Sequence, residues 1–131
     1  MPRAGHLTVV HGAVDGERSM QLRQAAQSRG SVYVSRSLVR RMVAGAVSVD
    51  VDVQHTIQVA TSGMVNGLLR VGHDVLLDDA KMSPWRERQY RNLALACRAG
   101  FDVVEGSHLL AQDTETASLT APQDEPSAPR R

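Results

Sequence analysis

Val9-Val10-His11-Gly12-Ala13-Val14-Asp15-Gly16-Glu17-Arg18-Ser19 is the stretch on which the reading of this chain turns. Leu7 to His11 is a short apolar run that meets a glycine at once, as a buried strand does where it enters a phosphate-binding loop. The pattern of such a loop is G-x-x-x-x-G-K-[ST], set between a strand and a helix. Gly12 and Ser19 hold the places of the first glycine and of the hydroxyl, and Gly16 lies between them. Glu17 stands where the second glycine belongs, and Arg18 where the lysine belongs. The frame of an anion site is present and its chemistry is altered.

Outward from this loop, strands and helices alternate, which predicts an α/β domain with a parallel sheet. Helical spacing runs from Glu17 to Ser28, with Met20, Leu22, Ala25 and Ala26 as its apolar contacts and Gly30 as its stop. Ser31 to Ser35 is a second strand. Ser37 to Ala44 is a short helix with Ser37 as its cap, ended by Gly45. Ala46 to Val53 alternates like a strand, yet Asp50 and Asp52 suit a helix cap, so it is read as a loop. From Val53 to Val71 the apolar positions Ile57, Ala60, Met64, Leu68 and Val71 recur at helical spacing. Asp74 to Asp79 is a third strand ending in acids. Ser83-Pro84 starts a helix that runs to about Arg98. Phe101 to Glu105 is a fourth strand.

Residues 1–6 are read as an N-terminal extension, 7–111 as one domain, and 112–131 as a disordered tail rich in Thr, Ser, Pro and acids. The tail carries four acids against Arg130 and Arg131, which leaves a mild basic bias on the remainder of a chain whose net charge is +1. Aromatic residues are only 3% of the 131, so the core must be built from Val, Leu, Ala and Met. Cys97 is the single cysteine, which excludes an intrachain disulfide and suits a reducing compartment. The first residues lack the apolar segment of a secretory signal, and no apolar run approaches the roughly 20 residues of a membrane span. A cytoplasmic location with no membrane partner is the expectation. The five histidines (His6, His11, His55, His73 and His108) show no metal-ligand spacing. Trp85 and Tyr90 are expected to pack in the core.

Three blocks together carry a resemblance. They are the loop at 9–19, Ser35-Arg36-Ser37-Leu38-Val39-Arg40-Arg41-Met42 after the second strand, and Gly72-His73-Asp74-Val75-Leu76-Leu77-Asp78-Asp79-Ala80-Lys81-Met82-Ser83-Pro84. Over roughly residues 7–105 the chain resembles the P-loop kinases related to the polynucleotide 5′-hydroxyl kinases and zeta-toxin-like ATP-binding proteins. The resemblance implies a three-layer domain with about four parallel strands in the order 2-3-1-4 and helices on both faces. It implies vestigial nucleotide-binding positions at Gly12, Gly16, Arg18 and Ser19, and a substrate-phosphate grip at Arg36 and Arg40. If a nucleotide binds, Ser19 and Asp78 would hold its magnesium and Asp79 would be the catalytic carboxylate, with Mg-ATP or Mg-GTP as cofactor.

The departures fall on the charged positions. The resemblance puts a general base where Ser37 stands and a Thr-Asn pair where Ala80-Lys81 stand. The lid helix with its arginine has no counterpart before the tail. A hydroxyl cannot act as a base at neutral pH as a carboxylate can. Loss of a lid arginine alone is worth roughly a thousandfold in rate. Asp15 and Glu17 bring negative charge to an anion site, at a cost of about 4 kcal/mol per charge 4 Å from a phosphate at an effective dielectric of 20. Glu17 also strains the loop if its site needs positive φ, and either acid is a candidate to fill the phosphate nest itself.

The expected function is therefore a degenerate, catalytically inactive P-loop kinase-like domain, kept as a regulatory or interaction module, of bacterial or bacteriophage type. A protein partner is expected, with nucleic acid and a homodimer as further candidates. An active kinase of polynucleotide 5′-hydroxyls or small-molecule hydroxyls is the alternative, and a nucleic-acid binder using Arg36, Arg40 and Arg41 the second alternative.

Overall fold

The computed structural model describes residues 5–14, 16–44 and 53–112. In chain order these form β1 (His6–His11), α1 (Arg18–Arg29), β2 (Ser31–Ser35), α2 (Arg36–Ala44), α3 (Val53–Val71), β3 (Asp74–Asp78), α4 (Pro84–Ala96) and β4 (Gly100–Glu105). Residues 106–112 are helical as well, an element the sequence reading did not foresee. The loop read at 46–52, the stop at Gly45 and the tail beyond Gln112 lie outside the described residues.

All pairings are parallel and the strand order is β2-β3-β1-β4, as the resemblance implied. Leu7 stands opposite both Val75 of β3 and Phe101 of β4. Because successive side chains of a strand point to opposite faces, β1 feeds two cores. Leu7 and Val9, with Val34, Val75 and Leu77, meet Val65 and Leu69 of α3 and Tyr90 and Ala94 of α4. Val10 and Leu76 meet Leu22, Ala25 and Ala26 of α1 and Leu109 of the closing helix. The sheet thus carries helices on both faces, and α2 packs on α3.

Three helices differ in detail from expectation. The α3 face turned to the sheet is Ile57, Gln58, Thr61, Val65 and Leu69, whereas Met64 and Val71 are exposed. Thr61 is tolerated in the core because its hydroxyl donates to Ile57 O at 2.7 Å. In α2 the capping hydroxyl is that of Ser35, not Ser37: Leu38 N donates to Ser35 Oγ at 3.2 Å, so the helix begins at Arg36. Met20 is 52% exposed and lies outside the α1 core stripe. No helix among the described residues is long and apolar enough to cross a membrane.

Candidate anion-binding site

Ligands of open parallel sheets bind outside the carboxyl ends of the strands, and there the candidate residues gather. β3 ends at Asp78, and Asp79 follows with its N–H donating to Val10 O at 2.9 Å. Gly12 N donates to Ala80 O at 2.9 Å, which ties the entry of the phosphate loop to the turn after β3. Gly12 and Gly16 have φ of +81° and +85°, a left-handed backbone that glycine adopts without strain. Glu17 does not: its φ is −80°, so the residue at the second-glycine position is unstrained, contrary to expectation.

The two carboxylates are each already matched. Arg18 Nε donates to Asp78 Oδ1 at 2.8 Å, Arg18 Nη2 lies 2.7 Å from the same oxygen, and Nη1 donates to Gly12 O. Tyr33 OH donates to Asp78 Oδ2 at 3.1 Å. Burial, then the Asp78 charge, pushes the Tyr33 phenol above its ordinary pKa. Asp79 accepts from Arg86 Nε at 2.8 Å, Arg86 Nη2 at 3.0 Å and Tyr90 OH at 2.8 Å. Arg86 also donates to Lys81 O at 2.7 Å. The Asp79 hydrogen bond holds the Arg86 guanidinium above its ordinary pKa, while burial and the Asp79 charge raise Tyr90.

The cations of α2 are a different case. Arg36 opens the helix and is 7% exposed. Among the described residues its side-chain hydrogen bond is a long one, from Nη2 to Gln54 Oε1 at 3.4 Å, and Nε is buried with no partner there. Burial, followed by the nearby Arg86 and Arg40 guanidiniums, pushes Arg36 below its ordinary pKa. Arg40, one turn on, and Lys81 are exposed. These side chains line one open cleft of about 590 Å³, which holds five cationic groups (Arg18, Arg36, Arg40, Lys81 and Arg86) against the two carboxylates Asp78 and Asp79. Ser37, at the base position, faces the same cleft.

Several sequence expectations are corrected here. The nest is not filled by Glu17, which is exposed and lines a separate cleft with Ser19, Arg23 and Arg41; the group folded into the loop is Arg18. Asp15 lies outside the described residues. Of the phosphate-loop positions only Arg18 reaches the main cleft, and Gly12, Gly16 and Ser19 do not line it. Trp85 is 54% exposed rather than packed, whereas Tyr90 is fully buried. The partners Tyr33, Arg86 and Tyr90 were missed as site residues. Arg86 had a legible signal, since the first helical turn after Ser83-Pro84 returns to the carboxyl edge beside Asp79.

A magnesium ion bound by Ser19 and Asp78 does not fit this donor set. Both Asp78 oxygens are engaged, one of them by a cation, and Ser19 lines a different cleft from Asp78. Among the described residues no group of three His, Cys, Asp or Glu side chains is placed to hold a metal ion.

No protein-family model matches the chain, and no curated protein matches it. Among solved structures it is similar to a candidate kinase from Chloroflexus aurantiacus, with a TM-score of 0.64 at 11% identity over 95% of this chain and 71% of that one. It is also similar to the Mycobacterium tuberculosis APS kinase CysC solved in complex with AMPPNP and APS. There the TM-score is 0.59 at 16% identity, over 95% of this chain and 77% of the other. The fold is that of the P-loop kinases.

Proposed function

We propose that this chain is a kinase-fold domain that captures a phosphate-bearing partner in the Arg36 cleft and transfers no phosphoryl group. One observation carries the reading: Arg36 is a buried cation whose Nε has no partner among the described residues, in a cleft whose two carboxylates already have their own arginines. A buried charge is costly unless an anion meets it, and a phosphate offers bidentate acceptors for a guanidinium. Arg40 and Lys81 at the rim add charge that draws the anion in. The phosphate would be presented by a protein or nucleic-acid partner, so the domain acts as an interaction module.

A second reading, an active Mg-ATP or Mg-GTP kinase of polynucleotide 5′-hydroxyls or small-molecule hydroxyls, rests on Gly12, Arg18 and Ser19 keeping the register of the phosphate loop. It requires Arg18 to leave Asp78 and Arg86 to leave Asp79. Parting a buried carboxylate from its cation costs about 3 kcal/mol each time, which weighs against it.

Calorimetric titration with inorganic pyrophosphate tests the proposal. Saturable binding is expected, falling as salt rises. Arg40→Ala and Lys81→Ala, both on the surface, should each weaken it by about threefold to tenfold. Arg36→Gln should weaken it more. No saturable heat at millimolar pyrophosphate, or surface variants that bind as well as the parent, would overturn the reading.

A further inference from the structure

A kinase of this architecture neutralises the phosphates of its ligand with a divalent ion held by the phosphate-loop hydroxyl and an aspartate at a strand end. Here the aspartate is committed to an arginine and the hydroxyl lines a different cleft. Asp78, 5% exposed, accepts from Arg18 Nε at 2.8 Å, with Arg18 Nη2 in ion-pair contact at 2.7 Å with the same oxygen and Tyr33 on the other. Ser19 lines the other cleft, beside Glu17 and Arg23. Arg18 is therefore a fixed positive charge beside the aspartate, braced by the Gly12 carbonyl, and it is the phosphate-loop residue that lines the main cleft.

We propose that the Arg18 guanidinium stands in for the divalent cation, so that this domain binds phosphorylated ligands without any metal. The proposal rests on the anion-binding reading above and specifies the ligand: a metal-free phosphate or diphosphate group rather than a magnesium–nucleotide complex. Charge supports it. A guanidinium supplies planar N–H donors that match phosphate oxygens directly, whereas a metal needs free anionic oxygens on the protein side. A magnesium ion placed against Asp78 would meet the Arg18 cation at hydrogen-bonding range of the same carboxylate, and the two charges would repel. Magnesium in solution also lowers the negative charge of pyrophosphate, so the metal complex is the poorer ligand for Arg36, Arg40 and Lys81.

The test is pyrophosphate titration of the full chain in chelator and again in millimolar magnesium. The expected result is binding at least as tight in chelator as in magnesium. Arg18→Ala should lose about tenfold in chelator and recover part of it when magnesium is added, because Asp78 is then free. Arg18→Lys keeps the charge and should remain metal-independent, which secures the comparison if the alanine variant folds poorly. Binding that gains about tenfold or more from magnesium in the parent would overturn this inference alone. So would an Arg18→Ala variant that binds unchanged in chelator. No binding in either buffer would overturn the anion-binding reading on which it rests.

Discussion

Asp79 accepts three hydrogen bonds while 3% exposed, and the identity of its donors fixes its role. A carboxylate gripped through both oxygens by Arg86 and capped by Tyr90 has three of its roughly four acceptor sites filled, and these bonds hold the end of β3 against α4. Arg86→Ala leaves this charge with only the phenol and should lower unfolding free energy by about 3 kcal/mol in denaturant titration. Tyr90→Phe removes one hydrogen bond to a charged group and should cost about 1.5 kcal/mol. The pH dependence follows from the direction of its shift. In the folded protein Tyr90 keeps its proton above the ordinary tyrosine pKa of about 10, whereas the unfolded chain releases it there. The stabilisation is therefore complete below that pH and is lost as pH rises toward the folded value. Alkaline denaturation should be shallower in Tyr90→Phe, with the residual slope carried by Tyr33, whose phenol is raised for the same reasons.

Helix α4 connects that residue to the fold. Ser83 Oγ accepts from Arg86 N at 3.1 Å and Pro84 occupies the first turn, so the element is set by a capping hydroxyl and a preformed φ. Ser83→Ala should cost about 1 kcal/mol in thermal or denaturant unfolding. This helix start was plain in the sequence because its signals are local. Strand positions were legible for similar reasons, through apolar runs and glycine stops, whereas the four-strand order and the placing of Asp78, Asp79, Arg36 and Arg40 at one edge came through the resemblance carried by the three motif blocks. The α3 core face was not. Apolar spacing favoured Met64 and Val71, but the helix turns Gln58 and Thr61 inward, and a threonine that bonds its own backbone carries no hydrophobic signal. The state of the phosphate loop was also hidden. That Arg18 folds onto Asp78, sixty residues away, and that Glu17 points outward depend on tertiary placement that local spacing does not encode.

At the scale of the whole molecule, β1 and β3 are inner strands and divide the interior into two cores on opposite faces. Val65 belongs to one and Leu22 to the other, each fully buried. Leu22→Ala should cost about 3 kcal/mol and Val65→Ala about 2 kcal/mol. Because the two share no partners across the sheet, the double variant should lose their sum to within about 0.5 kcal/mol in denaturant unfolding. The same layered sheet brings the ends of β3 and β2 together with the start of α2, which places cations from distant parts of the chain around one cleft. The central claim is that the anion lies in that cleft, against Arg36, and not in the phosphate-loop nest. Backbone amide NMR of the full chain titrated with pyrophosphate in chelator tests it most directly. The account predicts that the largest shifts fall on residues 36–40 and 80–82, with Arg18 the responsive member of its loop. Shifts centred on residues 12–17 and 19, with Arg36 and Arg40 unmoved, would contradict it.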